Sequence, residues 1–277
     1  MAKLPVIGVF DSGVGGLTVL RALMERVPQA DYLYFGDTAR LPYGSKSVQT
    51  IAKYAISAAQ YLQSHGAEYV VVACNTASAL ALDAMASAIE VEVLGVIEPG
   101  AQVAAAASKS RRAVVIATEG TVGSHAYRRA LERHGISATE KACPLFVPLV
   151  EEGWTDHEVT ERVARIYLDA LFAPDAQVAG AAQSVGAGAD TLVLGCTHYP
   201  LLKPLLRRVV PASVAIVDSA EATAEVVAAK FEAATSGAAS GSASVRFFAT
   251  DSVEKFRRAG EKFLGRSIEG VEHVEIE

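Results

Sequence analysis

Short runs of apolar residues alternate along this chain with longer stretches, rich in Ala and Leu, that carry one apolar face. The short runs fall at 6–10, 32–35, 69–73, 93–97, 113–117, 191–195, 214–217 and 245–248. They are continuous rather than alternating, with Val and Ile prominent, which is the pattern of strands buried on both faces of a parallel sheet. Helices are predicted over 17–26, 47–64, 77–88, 125–134, 157–172 and 220–234. Strands and helices that take turns at these lengths predict βαβ units, hence an α/β fold with doubly wound, mostly parallel sheets. Two stretches break the rhythm. Residues 174–188 carry weak periodicity and several glycines, and 235–244 read TSGAASGSAS. Both are expected to be surface excursions.

The pattern also repeats. YVVVACNTAS at 69–78 and TLVLGCTHYPLL at 191–202 each run from an apolar strand through a small residue and a cysteine into polar residues that open a helix. The two cysteines, Cys74 and Cys196, stand 122 residues apart, near half the chain. A weaker echo pairs VIGVFDSGVGG at 6–16 with AVVIATEGTVG at 113–123. This spacing predicts two pseudo-symmetric α/β domains, not a solenoid. The expected division is 1–98 plus 208–277 for the first domain, carrying Cys74, and 99–207 for the second, carrying Cys196. The active site is expected in the crevice between them.

Composition narrows the class. With 277 residues, 51% of them apolar and 20% charged, the chain can bury a substantial core, which excludes disordered and collagen-like architectures. No apolar run approaches the roughly 18 residues of a membrane span, and the opening MAKLPVIGVF suits a first strand better than a secretory segment. A cytoplasmic protein is expected. The net charge is −6, and the basic pairs at 111–112, 128–129, 207–208 and 257–258 are scattered, so no nucleic-acid partner is expected.

Polar clusters gather where such sheets bind ligands, just beyond the carboxyl ends of the strands. They are Asp11-Ser12-Gly13, Asp37-Thr38, Cys74-Asn75-Thr76, Thr118 with Thr121, Cys196-Thr197-His198 and Asp218-Ser219. Any one of them also suits a helix N-cap. Three cysteines at wide spacing give no disulfide framework, and Cys143, in KACPLF without polar neighbours, reads as core. Cys74 and Cys196 each precede a predicted helix N-terminus, where the dipole is expected to favour the thiolate. Two equivalent thiols from two related halves suit a reaction without a preferred direction, in which one removes a proton from a carbon and the other returns one to the opposite face. DSGVGG lacks the spacing of either phosphate-binding glycine motif, and the Cys/His spacing matches no metal site. Neither a cofactor nor a metal is expected.

The strings FDSGVGG (10–16), GDTARLPYG (36–44), ACNTAS (73–78), FVPLVE (146–151), GCTHYPLL (195–202) and VDSA (217–220) together, in this order, resemble the glutamate racemases. These are cofactor-independent enzymes of the aspartate/glutamate racemase superfamily that make D-glutamate for peptidoglycan. The resemblance covers about residues 6 to 231. It implies that Cys74 deprotonates D-glutamate and Cys196 deprotonates L-glutamate. Asp11 would assist the first thiol, and Glu151 and His198 the second, with Glu152 competing for the place of Glu151. Asp11, Ser12, Tyr43, Gly44, Asn75, Thr76, Thr197 and His198 would bind the amino acid. Arg40 is the one basic side chain in these strings, so backbone amides are expected to hold the carboxylates. The expected partner is the small-molecule substrate, and a homodimer is compatible with the reading. Other readings stay open on the residues alone: a sister racemase for aspartate or a hydantoin, a one-cysteine hydrolase using His198, or an amino-acid-binding protein.

Overall fold

The computed structural model describes residues 4–172, 188–235 and 244–276. The excursions expected at 174–188 and 235–244 lie, apart from their end residues, outside that range. Ten strands form two sheets among the described residues. The first contains β1 (Val6–Asp11), β2 (Asp31–Gly36), β3 (Tyr69–Val72), β4 (Glu92–Gly95), β9 (Val245–Ala249) and β10 (Val271–His273) in the order β10-β9-β2-β1-β3-β4. The second contains β5 (Arg112–Ala117), β6 (Ser137–Ala142), β7 (Thr191–Gly195) and β8 (Ala215–Asp218) in the order β6-β5-β7-β8. Every pairing is parallel. The α/β class with two parallel sheets is as the apolar runs predict.

The two orders share one plan. In the first sheet β1 is flanked by β2 and β3, with β4 outside β3; in the second, β5 is flanked by β6 and β7, with β8 outside β7. Both sequence echoes therefore fall on equivalent strands, β1 with β5 and β3 with β7. The second sheet also takes in Ala215–Asp218, so it runs past the boundary expected at 207.

Central strands are legible because both of their faces are covered: all of β3 and all of β7 are buried. The strands that the pattern misses are edges. β6 (SATEKA) is only partly buried and β10 is largely exposed, and edge strands carry the polar residues that blunt pairing. The helices are α1 (Leu17–Arg26), α2 (Val48–Ser64), α3 (Asn75–Leu80), α4 (Leu82–Ala88), α5 (Ile97–Ala107), α6 (Glu119–Ser124), α7 (Ala126–Arg133), α8 (Phe146–Glu151), α9 (Glu158–Phe172), α10 (Lys203–Val209), α11 (Ala220–Thr235) and α12 (Val253–Leu264). The single helix expected over 77–88 is broken at Ala81 into α3 and α4. In α5, Pro99 sits in the first turn, where a missing N–H costs nothing, and the Gly100 amide already bonds the Val96 carbonyl at 3.2 Å, so the pair does not stop the helix. α12 buries Phe256, Gly260, Phe263 and Leu264 along one stripe and packs against α1.

Candidate active site

In both sheets the strand order reverses beside the first strand, and such a switch leaves a crevice beyond the carboxyl ends. Asp11 ends β1 and Cys74 follows β3; Thr118 follows β5 and Cys196 follows β7. The chemistry-bearing residues of the two halves thus leave their sheets at matching points.

Cys74 is 5% exposed and caps α3, accepting from the Ala77 amide at 3.5 Å. Its Sγ lies 3.6 Å from Ser12 Oγ. Burial pushes this thiol up to about 12, the Asp11 charge adds to the rise, and the Ala77 amide and Ser12 hydroxyl oppose it. This corrects the expectation of a thiol lowered by a helix dipole. α3 has six residues, too short for a strong dipole, and desolvation wins. Asp11 is buried as well. Its Oδ2 accepts from Gly13 N at 2.9 Å, while Oδ1 has no hydrogen-bond partner. Burial raises the Asp11 carboxyl, against the pull of His198 and the Gly13 amide.

Cys196 is 7% exposed and leads into a three-ten turn, Tyr199–Leu202, rather than directly into an α-helix. What stands beside its sulfur is His198, with Nδ1 at 4.0 Å. His198 Nε2 lies 3.2 Å from Glu151 Oε1. Burial disfavours the imidazolium, but the bonds to Cys196 and Glu151 outweigh it and raise His198 to about 10. Glu151 is correspondingly lowered, first through its bond to His198. It closes α8 and turns inward, whereas Glu152 is exposed, so Glu151 is the acid that reaches the histidine. The ring of Phe263 on α12 meets the His198 ring edge-on at 5.1 Å.

The other expected residues gather around these two centres. Asn75 Oδ1 accepts from Tyr127 OH at 2.7 Å. Thr76 Oγ1 lies 2.9 Å from Thr118 Oγ1 and 3.3 Å from Thr121 Oγ1, which joins the halves through three hydroxyls. Thr197 sits 3.5 Å from His198 Nδ1, and its carbonyl accepts from Thr18 at 3.3 Å. Gly44 packs against Thr118, where a Cβ would come within 2.9 Å of the threonine Cβ. Tyr43 is turned differently: its hydroxyl donates to Asp37 Oδ2 at 2.7 Å, and its carbonyl accepts from the Lys46 amide at 3.0 Å. Arg40 is engaged by Asp37 and by the Ile276 carbonyl, so it brings no charge to the thiols.

The glycine-rich turn after β1 has a packing role. A Cβ on Gly15 would stand 2.3 Å from Thr197 Oγ1 and 2.6 Å from His198 Nδ1. One on Gly16 would stand 2.5 Å from Asp11 Cβ. Only bare backbone lets the Cys196 turn lie this close. Two cavities, of about 310 and 380 Å³, share Leu41 and Glu151 as walls, and neither sulfur lines them. Cys143 is fully buried in the core, where burial pushes its thiol up to about 12. Sequence reasoning flagged Thr118 and Thr121 as a polar cluster but not as partners of Thr76. It missed Tyr127, a tyrosine on an amphipathic helix that carries no local signal.

Residues 7–227 match the family model described as Asp/Glu/Hydantoin racemase. The glutamate racemase of Koribacter versatilis (strain Ellin345) is 55% identical, with 98% of each chain covered. The glutamate racemase of Thermus thermophilus, solved with β-chloro-D-alanine, superposes with a TM-score of 0.82 at 43% identity, covering 99% of this chain and 97% of that one. That of Francisella tularensis subsp. tularensis SCHU S4, solved with D-glutamate, gives 0.86 at 33% identity, covering 99% and 98%. With the match spanning most of the chain and the twin cysteines on equivalent strands, this protein belongs to the Asp/Glu/hydantoin racemase family.

Proposed function

We propose that this chain interconverts L- and D-glutamate by proton transfer at Cα between two thiols, without a cofactor, and so supplies D-glutamate for peptidoglycan. The observation that carries the reading is the pair of buried cysteines on equivalent strand ends of two like-built halves, each beside its own acid. Racemisation needs one group on each face of the carbon, and a pseudo-symmetric crevice provides that.

In the L-to-D direction Cys196 takes the Cα proton, with the His198 imidazolium beside its sulfur and Glu151 holding that imidazolium. Cys74, which burial keeps as a thiol, delivers its own proton to the opposite face, and Asp11 assists that transfer. The reverse direction exchanges the roles. Asp11, Ser12, the Tyr43-Gly44 backbone, Asn75, Thr76, Thr197 and His198 bind the amino acid. With Arg40 engaged elsewhere, the carboxylates rest on backbone amides, neutral hydroxyls and the Asn75 side-chain amide. These preorganised donors, in a site closed to water, also stabilise the charge that develops on the substrate. A relative solved with D-glutamate supports the choice of substrate.

The reading places the enzyme in the cytoplasm, and sedimentation tests whether it forms a homodimer. The function is tested by following optical rotation or circular dichroism of L-glutamate and L-aspartate with the purified protein. Loss of signal toward the racemate with glutamate, and little with aspartate, is expected. The opposite preference overturns the substrate, and a trapped thioester without racemisation overturns the reaction.

A further inference from the structure

Tyr127 belongs to the second half of the molecule, on α7, yet its hydroxyl donates to Asn75 in the first half, one residue beyond Cys74. The side chain is fully buried. Its ring also presses on the strand that leads to the other cysteine: a Cβ on Gly195, the residue before Cys196, would stand 3.0 Å from Tyr127 Cε2. On the far side the phenol is confined by Gly100, where a Cβ would lie 3.2 Å from the Tyr127 oxygen. Ser219, just beyond the end of β8, closes the same side, since the Cβ built on Gly100 would also stand 3.1 Å from Ser219 Cβ. Glycine at both flanking positions leaves the ring a fitted slot, and one side chain touches both cysteine-bearing turns.

The hydrogen-bond directions have a consequence. A phenol has one proton to give, and Tyr127 gives it to Asn75 Oδ1. With its oxygen committed to the phenol, the Asn75 side chain has its amide nitrogen left as the group to meet the ligand. An anionic substrate needs donors, and the opposite amide orientation would present it with an oxygen. A buried amide without this anchor would sample both orientations.

We propose that Tyr127 is a positioning residue for racemisation: it fixes the Asn75 amide as a donor and sets the Cys74 and Cys196 turns against one shared ring. The proposal rests on the racemase reading above. Its test is a double-mutant cycle of Tyr127→Phe and Asn75→Ala, read as kcat and KM on glutamate and, in parallel, on aspartate. In the otherwise unchanged protein, Y127F is expected to lower kcat/KM roughly tenfold, chiefly through KM, as for a lost buried hydrogen bond. In the N75A background the same change is expected to be silent within about twofold. Equal losses in both backgrounds would mean that the phenol acts on the fold and not through Asn75, and would overturn the proposal. So would an unchanged KM in Y127F. Should Y127F not fold, Gly100→Ala, whose Cβ would lie 3.2 Å from the phenol oxygen, replaces it in the cycle, with a smaller loss that must likewise vanish on N75A. Parent activity on aspartate alone would overturn the substrate assignment, and the cycle is then read on aspartate. A parent inert on both overturns the two readings together.

Discussion

Glu151→Gln removes one charge from the acid–imidazole–thiol line while keeping the shape of the side chain. The Glu151 oxygen lies 3.2 Å from His198 Nε2, and the imidazolium is raised to about 10 by its bonds to Cys196 and Glu151 acting against burial. A hydrogen bond between ionised partners contributes about 1.5–3 kcal/mol and a neutral one about 1 kcal/mol. The Glu151 side chain is 26% exposed, so solvent screening places the difference near the lower end, about 1 kcal/mol. One pK unit corresponds to about 1.4 kcal/mol, so His198 should fall by roughly one unit. The assay is kcat/KM against pH from either enantiomer; L- and D-glutamate have equal free energy, so the two directions must give equal values. The alkaline limb should move down by about one unit in E151Q and stay in place in Glu152→Gln. Stability follows the same sign. A histidine raised in the folded state stabilises fully below its unfolded value, near 6.5, and loses that contribution as pH rises through about 10. Glu151, lowered in the folded state, loses its contribution as pH falls through the acidic range. The stability gap between parent and E151Q should therefore be widest near neutrality and close above pH 10. Superimposed rate profiles for E151Q and the parent, or a shift in E152Q instead, would refute the reasoning.

Cys74→Ser and Cys196→Ser should each lower kcat at least about a thousandfold, as for removal of an acid–base group, while Cys143→Ser leaves kcat within about twofold. Gly15→Ala should cost on the order of a hundredfold in kcat/KM, because its Cβ would meet Thr197 Oγ1 at 2.3 Å and displace the Cys196 turn; activity near that of the parent would show that the turn can yield. Tyr43→Phe should destabilise the fold by about 1–3 kcal/mol in urea unfolding, since Asp37 is completely buried and keeps only its bonds to Arg40 and Thr250; an unchanged midpoint would contradict this.

The strands that place the thiols were legible because they are buried on both faces and so read as unbroken apolar runs. β6 and β10 were not, because an edge strand mixes polar residues into a short segment. The echo between 69–78 and 191–202 by itself marks β3 and β7 as equivalent. What the residues could not show was the balance of forces at each sulfur. The sequence pattern promised a helix dipole at Cys74, but α3 is a turn and a half long and burial dominates. Contacts between the halves were equally hidden. Tyr127 reaches Asn75 across 52 positions of chain, and Gly15 meets Thr197 across 182, so neither pairing leaves a local periodicity. Glu151 and Glu152 are indistinguishable as letters, and only the direction of the last turn of α8 separates them.

The account rests on two thiols that act from opposite faces of one carbon. Glutamate of one hand, turned over in D₂O and sampled early by mass spectrometry after chiral separation, tests that claim. Cys196 would remove protium from L-glutamate while Cys74, already exchanged with solvent, delivers deuterium. The D-glutamate formed should carry one deuterium at Cα, and the remaining L-glutamate should stay protiated; starting from D-glutamate should give the mirror result. Deuterium appearing equally in substrate and product from the first turnovers, or product that keeps the original protium, would mean that a single base serves both faces and would contradict the account.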